Sequence, residues 1–189
     1  MTDSKRRGPF FWERDDMPPP GEHLAALRRG FDRPPGSVPA MWQFYTRLHS
    51  SGVMTPGLVA EHQALSLFGL HQQGEGQSVH RAGQSVGEAA ALLRISERYS
   101  PEAIEQRFTA AATATGVSEM THHLRFLVQL MKAVTPTIGF DYTRLYWDLV
   151  AWQAPDDRPD VQRRWGAAFF WTRKPDQDSK TTTERKNTQ

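Results

Sequence analysis

The residues able to do chemistry are scattered, and their spacing argues against catalysis. His122 and His123 are adjacent in a helical stretch, so they diverge by about 100° and cannot form the i, i+4 pair of a helical metal site. Asp156, Asp157 and Asp160 fall in a Pro-containing linker without the glycine and terminal glutamate of a calcium loop. There is no Gly-rich phosphate loop, no nucleophile elbow and no HExxH motif. With no cysteine in the chain, thiolate ligation and disulfides are excluded. The expectation is a protein with no catalytic residues, no metal and no cofactor, and a reducing cytoplasm as its natural compartment.

Arginine is the residue type left to explain. The chain of 189 residues carries 18 Arg against 5 Lys. A GC-rich genome accounts for such a bias as well as a need for bidentate phosphate contacts and ring stacking does. Net charge is only +2, far from a blanket that binds polyanions by charge alone. The arginines fall in groups: Arg28 and Arg29 together, and Arg94 and Arg98 at a helix junction. Arg125 and Lys132 are seven residues apart and nearly superimposed along one helix. Arg144 lies one turn before Asp148, where an intrahelical ion pair is the plain reading. Arg163 and Arg164 sit inside VQRRWGAAFFW. There, Val161, Trp165, Ala168, Phe169 and Thr172 share the buried face, while Phe170 and Trp171 remain beside the two arginines. That mixture suits a protein or nucleic-acid interface.

The elements that must position these groups read as helices throughout, which predicts an all-α, two-lobed helical bundle of about eight helices. Residues 1–21 are expected to be a flexible arm, because three consecutive prolines exclude a helix. Residues 22–72 form an N-terminal lobe with helices near 22–31, from Ser37 through Leu48, and from Thr55. Residues 73–84 form a mobile, glycine-rich loop. Residues 85–174 form the C-terminal lobe, its helices opened by Ser85 with Glu88, Ser100 with Pro101, Ser118 and Asp141. Gly116 is expected to close the helix begun at Pro101. The tail 175–189 lacks apolar residues and is expected to be disordered. No segment is apolar for long enough to span a membrane.

Eight short blocks stand in a recognisable order and spacing: LRRG at Leu27, VPAMWQFY at Val38, EHQAL at Glu61, SVGEAA at Ser85, QRF at Gln106, HLRFLVQL at His123, FDYTRLYWDLVAW at Phe140 and RRWGAAFF at Arg163. Together, from about Leu24 to Phe170, they resemble the CasB family, the small subunit of the type I-E CRISPR surveillance complex Cascade. The resemblance implies a non-enzymatic subunit that pairs with a second copy of itself and contacts the large subunit and the repeated backbone subunits. Its basic face would hold target DNA, including the displaced strand, while guide RNA pairs. By motif, the basic positions carried over are Arg28, Arg29, Arg107, Arg125, Arg144, Arg163 and Arg164. The sequence departs from the family pattern at Phe126, where relatives often carry a second basic residue, and at Ala168, where they often carry an acid. A helical adaptor whose arginines pair only with acids on partner proteins is the alternative.

Overall fold

The computed structural model describes residues 9–171, so the expectations for residues 1–8 and for the tail 175–189 lie outside the described residues. Among the described residues, seven α-helices follow one another: α1 (Gly21–Arg28), α2 (Pro56–Gln72), α3 (Val86–Arg94), α4 (Pro101–Ala112), α5 (Val117–Lys132), α6 (Tyr142–Trp152) and α7 (Arg158–Trp171). Two short 3-10 helices, Phe11–Glu13 and Pro39–Phe44, complete the set. The described residues contain no β-strand, only an isolated bridge between His80 and Phe140. The chain is all-α.

Helix starts obey local chemistry. Thr55 accepts a hydrogen bond from the Leu58 amide at 3.1 Å and is followed by Pro56. Ser85 and Glu88 form a reciprocal capping box. Ser100 accepts from the Ala103 amide, and Asp141 from the Arg144 amide. Each side chain satisfies an amide that the first helical turn leaves without a partner.

Helix α2 is buried around most of its circumference and packs on α1, α5 and α6. Residues on both sides of the 73–84 segment therefore share one apolar core. At Gly69 an added Cβ would meet Leu27 Cβ at 2.6 Å, so glycine is what lets α1 settle on α2. Gly87 plays the same part where α3 meets the Trp165 carbonyl of α7.

Four expectations require correction. First, the helix expected from Ser37 through Leu48 is only the 3-10 turn Pro39–Phe44, and Tyr45 is extended. The buried carboxylate of Glu61 accepts from the Thr46 amide and hydroxyl, at 2.7 and 2.6 Å, and from the Arg47 amide at 2.7 Å. That pulls the backbone out of helical geometry. Second, Gly116 is the N-cap of α5 and does not close α4, which ends at Ala112.

Third, the segment 73–84 is pinned. The Gln72 side chain donates to the Glu75 and Gln77 carbonyls and accepts from the Val79 amide. Val79 and Arg81 then exchange backbone hydrogen bonds with Phe140. Fourth, residues 9–20 of the expected arm are not loose: Phe10, Phe11 and Trp12 are buried. Phe11 meets Phe44 at 4.8 Å between centroids, Phe10 meets Tyr146 at 4.7 Å, and the Trp12 indole donates to the Thr143 hydroxyl at 2.9 Å. Prolines exclude a helix but do not prevent three aromatic rings from docking.

Candidate nucleic-acid interface

Helix α1 stops at Arg28, and the chain turns sharply through Asp32, whose φ of 60° lies in the left-handed region that an Asp side chain tolerates. The turn brings Arg28, Arg29 and Arg33 toward Arg125 on α5, and the four arginines line one open groove of about 830 Å³. Among the described residues, Asp32 is the only carboxylate lining it. Arg125 is fixed in two ways: its guanidinium lies 4.5 Å from the Phe31 ring centroid and 3.7 Å from the Asp32 carboxylate. Phe31, Asp32, Arg33 and Arg125 also border a neighbouring opening of about 1020 Å³ that extends to Met54 and His122.

Buried polar contacts hold this turn on α2. The His62 ring contacts the Gly30 carbonyl through Nε2 at 2.9 Å and the Tyr45 hydroxyl through Nδ1 at 2.6 Å. With Nε2 donating to the carbonyl, Nδ1 is left to accept from the hydroxyl. Burial lowers the His62 pKa, so the neutral ring is the form this geometry uses. Burial likewise pushes Tyr45 up to about 12. The groove's arginines are thus mounted on a neutral, satisfied framework.

Lys132, two turns along α5 from Arg125, donates to the Leu70 carbonyl at 3.3 Å. Burial lowers its pKa; Glu75 opposes that shift and Arg28 adds to it. Lys132 does not line the groove; it borders a separate opening with Glu75, Arg81 and Pro136.

The other predicted positions are placed elsewhere. Arg94 donates to the Phe169 carbonyl at 3.0 Å and lies over the Phe169 ring at 4.4 Å, so it secures the end of α7. Arg98 is exposed beside Tyr99, and Arg107 is exposed with its guanidinium 5.9 Å from the Phe126 centroid. Arg144 does not pair with Asp148, which corrects that expectation. It faces Glu88, whose carboxyl is held below its usual range: burial raises it, but the Ser85 hydrogen bonds and Arg144 outweigh that.

Asp148 is instead engaged by α7. Its two oxygens accept from Arg164 at 2.8 Å and from the Trp165 indole at 2.7 Å. Arg163 pairs with Asp160 one turn earlier. Both arginines of VQRRWGAAFFW are thus met by carboxylates of the same chain. Val161, Trp165 and Phe169 are buried as the periodicity predicts, while Phe170 and Trp171 are exposed.

Sequence reasoning missed Asp32 and Arg33, which lie just beyond the expected end of the first helix. A Pro-Pro-Gly turn announces a reversal but not its partner, so no local signal could place them against Arg125. His122 and His123 sit with ring centroids 5.7 Å apart, and no group of three or more potential metal ligands occurs among the described residues. None of the described helices is long and apolar enough to cross a membrane.

Residues 23–170 match the family model for CRISPR-associated protein Cse2. Among solved structures, the chain is similar to CasB from Thermobifida fusca, with 25% identity over 79% of this chain and 84% of that one and a TM-score of 0.63. It is also similar to M. ruber CasB, with 28% identity over 78% and 83% of the two chains and a TM-score of 0.62. A Cse2-family CRISPR-associated protein from Thermus thermophilus aligns at 25% identity over 80% and 86%, with a TM-score of 0.59. No curated protein matches the chain. A family model spanning most of the chain, on a helical fold shared with these CasB structures, establishes that the chain belongs to the Cse2 family of CRISPR-associated proteins.

Proposed function

We propose that the chain is the non-catalytic small subunit of a type I-E Cascade complex in the cytoplasm. There it holds the DNA backbone so that guide RNA–target pairing and the displaced strand are stabilised. The observation that carries this reading is the groove in which Arg28, Arg29, Arg33 and Arg125 face a single carboxylate. Exchange of a DNA duplex for an RNA–DNA hybrid is nearly balanced in free energy, so a few phosphate contacts are enough to tip it. Such contacts act by releasing counterions and need no base recognition. The reading takes as partners the large subunit, the repeated backbone subunits, a second copy of the chain, guide RNA and target DNA.

The test is reconstitution with the other Cascade subunits and guide RNA, comparing the wild type with an Arg29→Glu, Arg125→Glu variant. Normal co-purification with weakened retention of target DNA supports the reading; unchanged retention contradicts it. One observation favours the alternative of a pure adaptor: Phe170 and Trp171 are exposed while Arg163 and Arg164 beside them are already paired. The adaptor reading predicts that replacing these two rings abolishes co-purification and that the isolated chain binds no DNA even at low salt.

A further inference from the structure

Next to the groove, on the adjoining face of α5, lies an aromatic ring with no place in the core. Phe126 is 41% exposed, whereas the inward face of the same helix, Met120, Leu124, Leu127 and Met131, is fully buried. The ring is framed. His122, one turn earlier, meets it at 5.1 Å with the two planes at 81°, and Arg107 reaches across from α4 to stand 5.9 Å from its centroid. None of the ion pairs among the described residues involves Arg107. Its neighbours one turn away on α4, Ala103, Ala110 and Ala111, carry no charge.

We infer that Phe126 and Arg107 form a stacking site for one unpaired nucleobase, so that this face takes single-stranded nucleic acid in preference to duplex. The inference rests on the nucleic-acid reading of the groove and deepens it by naming the class of strand. A base sandwiched between a ring and a guanidinium needs about 3.5 Å on each face, or about 7 Å in all. The present 5.9 Å opens to that with a shift of roughly 1 Å in one long, exposed side chain. Arginine stacks on a base as readily as on a protein ring, and every base offers a π face, so the site is tolerant of sequence. Arg125 is the residue next to Phe126 and lines the groove. A phosphate held there brings the adjoining base to the ring, and a duplex keeps that base inside its stack. Charge favours a polyanionic strand over an apolar peptide as the occupant, because Arg107 stands by the ring and the arginine-lined groove opens on the adjoining face of α5.

The test measures binding of the full chain to an oligothymidine strand and to a duplex of equal length, at low salt, for the wild type, Phe126→Ala and Phe126→Trp. Circular dichroism confirms folding, and 2-aminopurine placed in the strand reports stacking. Stacking of one base predicts a roughly five- to hundredfold loss of single-strand affinity for Phe126→Ala, with duplex binding changed by less than about twofold. Phe126→Trp retains affinity and quenches 2-aminopurine. Folded Phe126→Ala binding the strand like the wild type, or losing strand and duplex equally, overturns the stacking site while leaving the groove reading in place. So does a Phe126→Ala variant that loses subunit co-purification but not strand affinity. A wild type that binds neither strand nor duplex at low salt removes the groove reading and the stacking site together.

Discussion

Replacing Asp148 with alanine removes a carboxylate that two helices share, and the structure sets the size of the effect. Asp148 is 4% exposed and Trp165 is 1% exposed, so the indole N–H has no water to turn to. A hydrogen bond from a buried donor to a charged acceptor is worth about 1.5–3 kcal/mol, and the orphaned donor bears most of that loss. The Arg164 side chain is 47% exposed and regains solvent, so its share is discounted to about 0–1 kcal/mol. The sum, about 2–4 kcal/mol, lowers the melting temperature of a chain this size by roughly 5–15 °C. Thermal unfolding followed by circular dichroism reads it directly. Arg164→Ala shifts the melting temperature by only a few degrees and leaves DNA affinity near that of the wild type. The reasoning is refuted if Asp148→Ala melts within about 2 °C of the wild type. It is equally refuted if Arg164→Ala weakens DNA binding as much as loss of a groove arginine does.

Other perturbations separate the groove from the fold. Asp32→Asn keeps a residue that tolerates the left-handed turn but removes the carboxylate that lines the groove. DNA affinity rises severalfold at low salt and the gain shrinks as salt increases, while stability is nearly unchanged because the Asp32 side chain is 86% exposed. Unchanged or weakened binding by folded Asp32→Asn counts against the competition. Trp12→Ala leaves a cavity and costs about 3–5 kcal/mol, seen as a lower denaturation midpoint; a neutral effect contradicts the docked N-terminal rings. Burial holds His62, His71 and His80 below the ordinary imidazole value, His71 at about 3. Unfolded histidines take up protons as pH falls below about 6.5, and these folded ones do so only at lower pH. Stability present above that pH is therefore lost below it, at up to ~1.4 kcal/mol per pH unit for His71. Glu61, raised by burial, works in the opposite direction and offsets part of the loss at lower pH. The melting temperature is lower at pH 5.5 than at pH 7.5, and an equal or higher value at pH 5.5 contradicts this linkage.

Much of the helical order was legible because caps and periodicity are local. Thr55, Ser85, Ser100 and Asp141 each announce a helix within four residues, and Val161, Trp165 and Phe169 are marked as buried by spacing alone. What escaped notice depends on partners far away in sequence. Glu61 sets the conformation of Thr46 and Arg47 from 15 and 14 residues downstream, and Asp148 claims Arg164 and Trp165 from the preceding helix. The pinned 73–84 segment depends on Phe140, and the docked aromatic triplet on α2 and α6. The same limit governed the arginines. Spacing and the family resemblance together nominated ten basic positions, but only the fold shows that Arg28, Arg29 and Arg125 converge with Arg33, that Arg94 and Arg164 are occupied within the chain, and that Arg107 stands over Phe126.

The most direct test of the account is the salt dependence of DNA binding by the full chain, measured by fluorescence anisotropy from about 50 to about 200 mM salt. Three to four phosphates neutralised in the groove give a slope of log K against log salt of about −3, or a roughly sixtyfold loss of affinity across that range. Arg29→Glu together with Arg125→Glu makes the slope shallower by about 2. Absence of binding at the low-salt end, or a slope that the double variant leaves unchanged, contradicts the claim that this groove holds the phosphate backbone.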